Sequence, residues 1–179
     1  EEAKETVMKY AGRVNGGDFR FTFDNIYYNI EFADTYIFPQ GFSAVADRLR
    51  EFKGLNMLAD IGNGTMNIMY IDECRPLQNK CFTEKYGTFQ CMLEVRNRLL
   101  QLGVSVNDSV IERVIRTGTA DIDENYLNVI KETATEYVEG IFRKLREHEY
   151  DDRIMRLYVV GGGGCMIKHF GEYNSGRVI

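Results

Sequence analysis

Hydrophobic residues occupy every second position of two short segments near the start of the chain. Alternation with a period of two is typical of β-strands, and an Asp-Asn pair between two such segments is typical of a tight turn. The pattern predicts a β-hairpin with its turn at Asp24-Asn25 and its alternating side chains at Phe19, Phe21, Phe23, Tyr28, Ile30 and Phe32. We also expect a helix over residues 2–10 and an extended segment over 35–38.

A second hairpin is predicted farther along. Residues 55–61 form a near-continuous apolar run, Gly62-Asn63-Gly64 supplies a tight turn with Asn-Gly at its tip, and residues 65–71 continue as a second strand. The spacing of apolar residues then predicts a strand over 77–83, helices over 87–102, 107–116 and about 123–147, a strand over 157–160 and a short helix near 166–170. A further helix is predicted over 40–52, closed by Gly54.

The order of these elements decides the fold class. Three strands, a group of helices, another strand and a last helix predict an α/β protein with a mixed sheet and helices on its faces. In that sheet an antiparallel hairpin is extended by a strand that arrives through a helical crossover.

Composition narrows the class of protein further. The chain has 179 residues, 44% of them hydrophobic and only 2 of them proline, which excludes collagen-like and strongly disordered proteins. With 22 basic and 27 acidic residues the net charge is −5, so the overall balance favours neither direct nucleic-acid binding nor an anionic membrane surface. No apolar run approaches the roughly 20 residues of a membrane helix. We therefore expect a cytoplasmic protein.

The cysteines and histidines give no sign of a metal site. The four cysteines form no Cys-x-x-Cys pair, and the two histidines do not stand near them at ligand spacing. We expect reduced, mostly buried thiols.

The first candidate for chemistry is the segment Asp60-Ile61-Gly62-Asn63-Gly64-Thr65, at the tip of the second hairpin. Glycines let backbone amides turn toward a phosphate group, and an acidic residue at a strand end can hold a hydrated magnesium ion. The Thr65 hydroxyl is a further donor. The alternative is an ordinary Asn-Gly turn that Asp60 caps.

The second candidate is the run Gly161-Gly162-Gly163-Gly164, which follows a predicted strand. Open α/β sheets bind ligands at the carboxyl ends of their strands, and glycines allow close approach. The run is neither a Walker loop nor a GxGxxG fingerprint, and a hinge is the alternative.

The third candidate is Gln40, because an amide side chain at a helix start can orient a water for attack on a phosphoryl group. Most such glutamines only cap a helix or face solvent.

Together these segments resemble the actin-like ATPases, and among them the ParM (StbA) plasmid-segregation family. The resemblance rests on D-I-G-N-G-T at a hairpin tip, a glutamine about twenty residues before it, and V-V-G-G-G-G about a hundred residues after it. It implies a ribonuclease H-like, actin-type fold. It also implies an ATPase that uses ATP or GTP with Mg²⁺, polymerises into filaments and reaches plasmid DNA through a DNA-binding adaptor protein.

The resemblance assigns roles residue by residue. Asp60 is the magnesium-side carboxylate, Gly62, Asn63, Gly64 and Thr65 cradle the β- and γ-phosphates, and Gly161 to Gly164 contact the adenosine. Gln40 positions the attacking water, although ParM proteins can use glutamate there, and Asn63 replaces the more usual glycine or aspartate.

One feature of the family is absent. No Asp-x-Gly hairpin, the family's first phosphate loop, precedes Asp60, and the chain starts at Glu1 without a methionine. We expect a fragment of a longer protein, with residues 1–53 ending a first actin-like subdomain and residues 54–179 forming a second. Lacking the opposed phosphate clamp, this piece alone should have negligible ATPase activity. Two other functions stay open: a sugar or metabolite kinase or chaperone-type ATPase of the same fold, and a non-catalytic interaction domain.

Overall fold

The computed structural model describes residues 18–31 and 38–179. The helix predicted over 2–10 and most of the extended segment predicted over 35–38 lie outside these ranges. Contacts between residues divide the chain into two units, Glu1–Pro39 and Gln40–Ile179. The division predicted between residues 53 and 54 refers to the subdomains of a longer protein and stays a prediction.

The described part of the first unit is the predicted β-hairpin. Strands β1 (Asp18–Phe23) and β2 (Ile26–Glu31) pair in antiparallel register, with Phe21 opposite Tyr28. The rings of that pair stack at 5.3 Å between centroids. Asp24 and Asn25 both have positive φ, at 49° and 60°, which suits a two-residue turn that follows the right-handed strand twist.

The second unit is built on a four-stranded mixed sheet in the order β5-β4-β3-β6. Its strands are β3 (Leu55–Ile61), β4 (Met66–Asp72), β5 (Arg75–Glu84) and β6 (Arg156–Val160). The first three are antiparallel neighbours, whereas β6 lies parallel to β3, so the helical crossover is confirmed. Residues 177–179 continue the sheet beyond β6 through three backbone hydrogen bonds of 2.8–2.9 Å.

Four helices cover one face of this sheet, namely α1 (Thr88–Gln101), α2 (Asp108–Thr117), α3 (Glu124–Glu147) and α4 (Gly163–Phe170). The side chains of Asn107 and Asp123 cap α2 and α3 by accepting hydrogen bonds of 2.9 Å from backbone amides two residues on. The apolar stripe of α3 is fully buried at Ile130, Ile141 and Leu145. Helix α4 begins three residues before its predicted start, inside the glycine run.

The opposite face is covered by residues 42–52, where the predicted helix over 40–52 is wrong. The segment forms two 3₁₀ helices, Phe42–Ala44 and Ala46–Glu51, interrupted at Val45. Phe42, Val45 and Phe52 pack on the sheet, and the Phe52 ring stacks on Tyr158 at 3.9 Å. Gly54 has the positive φ expected of it, 65°, but it lies two residues beyond the helix C-cap, where it turns the chain into β3.

All four cysteines are free thiols, as predicted, but only Cys91 is buried. Cys81 and Cys165 are exposed, so the expectation of mostly buried thiols is wrong. Within residues 18–31 and 38–179, no helix has the length and apolar character needed to span a bilayer.

Candidate functional site

The carboxyl ends of β3 and β6 lie side by side because these two strands are parallel. Asp60 is paired with Val160, which brings the residue after β6, Gly161, against the Asp60 side chain. Gly161 has φ of 83°, and a Cβ added there would stand 2.6 Å from the Ile61 carbonyl oxygen and 2.8 Å from Asp60 Oδ1. Only glycine fits at this position.

A third segment reaches the same carboxylate. Gly41 also has φ of 83°, and an added Cβ would lie 2.7 Å from Asp60 Cβ. This close approach puts Gln40, whose side chain is exposed, one residue from the contact with Asp60. Three segments that are far apart in sequence therefore meet at one partly buried carboxylate, which makes no hydrogen bond or ion pair with any residue in the described ranges.

Two carbonyls of the turn between β3 and β4 are bound by the start of α1. The Gly62 amide donates to the Thr65 carbonyl at 2.9 Å, which closes the turn. The carbonyls of Gly62 and Asn63 accept hydrogen bonds from the Thr88 and Phe89 amides at 3.1 and 2.9 Å, at the start of α1. Because α1 supplies donors for these carbonyls, the turn is fixed by the helix N-terminus.

Three consecutive amides of the turn remain free. The N–H groups of Asn63, Gly64 and Thr65 donate to no described residue. Neither Asn63 nor Gly64 has positive φ, so the turn is not the ordinary Asn-Gly hairpin turn that was the alternative reading. Successive unpaired amides beside a strand end are suited to binding an anion such as phosphate.

Sequence reasoning missed the residue on which this turn rests. Gly87 is buried, and an added Cβ would overlap the Asn63 carbonyl and the Gly64 backbone. Its own carbonyl accepts a hydrogen bond of 2.9 Å from the Tyr137 hydroxyl. Burial raises the pKa of Tyr137, so this hydroxyl is a donor throughout the physiological range. The only sequence signal was a glycine directly before a predicted helix.

Packing within the protein requires glycine at some positions of the run after β6 and leaves other positions open. Gly163 is buried, and a Cβ there would overlap Ile61, whereas nothing lies within 4 Å of a Cβ at Gly162. Gly64, in the β3–β4 turn, is equally open. At Gly162 and Gly64 an approaching ligand would meet bare backbone.

A cavity of about 420 Å³ adjoins the turn. It is lined by Asn63, Thr88, Phe89, Met92, Glu112 and Ile115. The walls combine apolar side chains with one carboxylate, the mixture usual for small-molecule sites of this size. The sequence did not predict this cavity because its lining comes from the turn and from two helices that meet only in the folded protein.

The site has few metal ligands of its own. The described residues hold no group of three or more His, Cys, Asp or Glu side chains able to bind a metal ion. Asp60 by itself suits a hydrated magnesium ion that takes its remaining ligands from water and phosphate.

Solved structures of known proteins share this fold. Over 96% of the chain, the structure of Ta0583, an archaeal actin homologue, in complex with ADP matches with a TM-score of 0.63 and 16% identity. The apo psk41 ParM protein matches over 98% of the chain with a TM-score of 0.73 and 14% identity. The Alp12 filament structure matches over 96% with a TM-score of 0.69 and 16% identity. The chain spans 60%, 53% and 56% of those three chains, respectively. No curated protein sequence matches it.

The mixed sheet with a hairpin and a glycine run at the ends of adjacent strands has the actin-type fold of these structures, as the sequence predicted. More closely, the chain belongs to the family described as archaeal actin homologue MreB-like, C-terminal, whose model matches residues 58–172, more than half of the chain.

Proposed function

We propose that this chain is the nucleotide-binding part of an actin-like ATPase that assembles into filaments. The observation that carries the proposal is the row of amides at Asn63, Gly64 and Thr65 that donate to no described residue, next to the Asp60 carboxylate, with which no described residue pairs. The Ta0583 structure that contains ADP and the Alp12 structure that is a filament support it. Because the chain spans 53–60% of those structures, the activity proposed is that of a longer protein.

The residues at the site fit the phosphate end of a nucleotide. Magnesium ATP supplies, when bound, a phosphoanhydride bond and a cation that reduces its negative charge. The amides of Asn63, Gly64 and Thr65 bind phosphate oxygens, and Asp60 holds the hydrated cation. Gly41 and Gly161 pack against Asp60 and so fix its position without competing for its oxygens.

The nucleoside end is assigned to the backbone at Gly161–Gly162, after the carboxyl end of β6, where an added Cβ at Gly162 would meet nothing within 4 Å. Gly163 and Gly164 lie in α4, where Gly163 contributes packing on Ile61.

Gln40 is proposed to orient the attacking water. Its exposed side chain lies one residue from the Gly41–Asp60 contact, on the segment that enters the first 3₁₀ helix. An amide can donate one hydrogen bond and accept another, which is what positioning a water requires.

The test compares two aspartates of the same hairpin. Asp60→Asn removes the charge at the proposed site, and Asp72→Asn removes a charge at the opposite end, where Asp72 pairs with Leu55. Both substitutions keep the side-chain volume. Asp60→Asn should abolish the part of the ATP affinity that depends on magnesium, and Asp72→Asn should leave it intact. Equal magnesium dependence in wild type and Asp60→Asn would refute the role of Asp60.

The proposal extends to how the full-length protein assembles and which partner it contacts. We propose that the full-length protein polymerises with ATP, acts in the cytoplasm, and contacts DNA through an adaptor protein as in plasmid segregation. The net charge of −5 agrees with the absence of direct DNA binding. Sedimentation of the full-length protein with and without ATP tests assembly, and failure to pellet at any concentration with ATP and magnesium would exclude filaments.

A further inference from the structure

One hydrogen bond connects the core of the second unit to the candidate phosphate site. The Tyr137 hydroxyl, buried on α3, donates to the Gly87 carbonyl at 2.9 Å. In an ideal α-helix this carbonyl would accept from the amide four residues on, but the Cys91 amide lies at 3.5 Å. Tyr137 is thus the stronger donor to a carbonyl at the very start of α1.

Gly87 is also where α1 touches the turn. Its backbone packs directly against the Asn63 carbonyl, and the two residues that follow, Thr88 and Phe89, donate their amides to the Gly62 and Asn63 carbonyls. The Gly87 amide is held by the Gln90 side chain at 3.1 Å. Any shift of Gly87 would therefore move the turn and the amides of Asn63, Gly64 and Thr65 within it.

We infer that Tyr137 is a positioning residue for phosphate binding: its hydroxyl fixes Gly87, and through Gly87 and the first α1 amides it fixes the Gly62–Thr65 turn. Tyr137 lies fifty residues along the chain from Gly87 and touches no proposed ligand itself. The consequence for nucleotide affinity rests on the proposed function, whereas the consequence for the turn does not.

The first test needs no nucleotide. Tyr137→Phe removes the hydroxyl and keeps the ring that packs on Tyr86 at 5.4 Å. Hydrogen exchange measured by NMR should be about five to ten times faster at the Thr88 and Phe89 amides, as expected for loss of one buried hydrogen bond. The control is Tyr86→Phe, because the Tyr86 hydroxyl makes no hydrogen bond within the described ranges. Exchange that is unchanged at Thr88 and Phe89, or faster to the same degree throughout α1 to α4, would overturn the inference.

The second test uses three ligands. Tyr137→Phe should weaken ATP and ADP binding about five- to tenfold and leave adenosine binding unchanged, because only the phosphates contact the turn. Equal losses for ATP and adenosine would indicate general structural damage and overturn the inference. If the wild-type protein binds no ATP at all, the proposed function fails, and the exchange rates still decide whether Tyr137 positions the turn.

Discussion

Replacing Gly161 by alanine should destabilise the folded protein by about 2–5 kcal/mol. Alanine in the left-handed region, at φ of 83°, costs about 1–2 kcal/mol. The new Cβ would also lie 2.6 Å from the Ile61 carbonyl oxygen, a backbone atom of the central strand β3 that cannot move aside cheaply. Overpacking of this kind costs a further ~1–3 kcal/mol.

Gly162 provides the matched control one residue away. Its φ of −63° and ψ of −26° suit alanine, and the added Cβ would meet nothing within 4 Å. Alanine restricts the unfolded chain, which raises the free energy of unfolding by about 0.4–1 kcal/mol. Alanine is also a poorer N-cap than glycine, which lowers the free energy of unfolding by a similar amount. Gly162→Ala should therefore change the free energy of unfolding by less than about 0.5 kcal/mol.

Urea unfolding followed by circular dichroism measures both changes. The midpoint should fall clearly for Gly161→Ala and stay near wild type for Gly162→Ala, with similar slopes in all three proteins. Gly162→Ala should have its effect on ATP affinity instead of stability. The substitution should weaken ATP binding about tenfold or more, because the added methyl group occupies space assigned to the nucleoside. A stable Gly161→Ala protein would refute the packing argument, and unchanged ATP affinity in Gly162→Ala would refute the adenosine contact.

Three other predictions follow from individual side chains. Cys165 is exposed and should react readily with iodoacetamide, Cys81 is exposed but should react more slowly because partial burial raises its pKa, and burial that raises the pKa of Cys91 to about 12 should keep that thiol unreactive until unfolding; ATP should slow labelling of Cys165 but not of Cys81. Asn56→Ala should destabilise the fold by about 1–3 kcal/mol in urea unfolding, because the buried Asn56 amide donates to the Lys53 and Gly54 carbonyls at 3.2 and 2.8 Å. Hydrogen bonds from Arg153 lower the pKa of Asp151 to about 2, so its stabilising effect should be lost as pH falls from 3.8 towards 2. In Arg153→Ala, NMR titration should find the pKa of Asp151 raised towards 3.8 but still below it, because the backbone amide of residue 153 keeps its hydrogen bond, and a value still near 2 would contradict this assignment.

Local patterns predicted most of the fold. The Asp24-Asn25 turn and the central pairing of β3 with β4 follow from residue type and period, and the chain order of strands and helices correctly predicted that β6 extends this hairpin through a helical crossover. The helix predicted over 40–52 failed because Gly41 is held in the left-handed region against Asp60, and the apolar side chains follow the sheet surface in 3₁₀ turns. The Glu73-Cys74 turn, with φ of 44° and 67°, gives no glycine or asparagine signal.

The candidate site was only partly visible in the sequence. The pattern identified the hairpin tip and the glycine run, but it could not tell that Gly163 packs on Ile61 while Gly162 is open. Roles of this kind depend on which strand ends become neighbours. Glu112 and Tyr137 were missed for the same reason, since each comes near the turn only when the helices have packed.

The most direct test of the nucleotide site is titration of the wild-type protein with magnesium ATP, followed by NMR of the backbone amides. The resonances of Asn63, Gly64 and Thr65, whose amides are free, should shift most, together with that of Gly162. Amides at the start of β5, which pairs there with Ile71 and Asp72 at the other end of β4, should hardly shift. If the three turn amides stay unchanged at saturating ATP while others respond, the nucleotide does not bind at this turn and the proposed function is wrong.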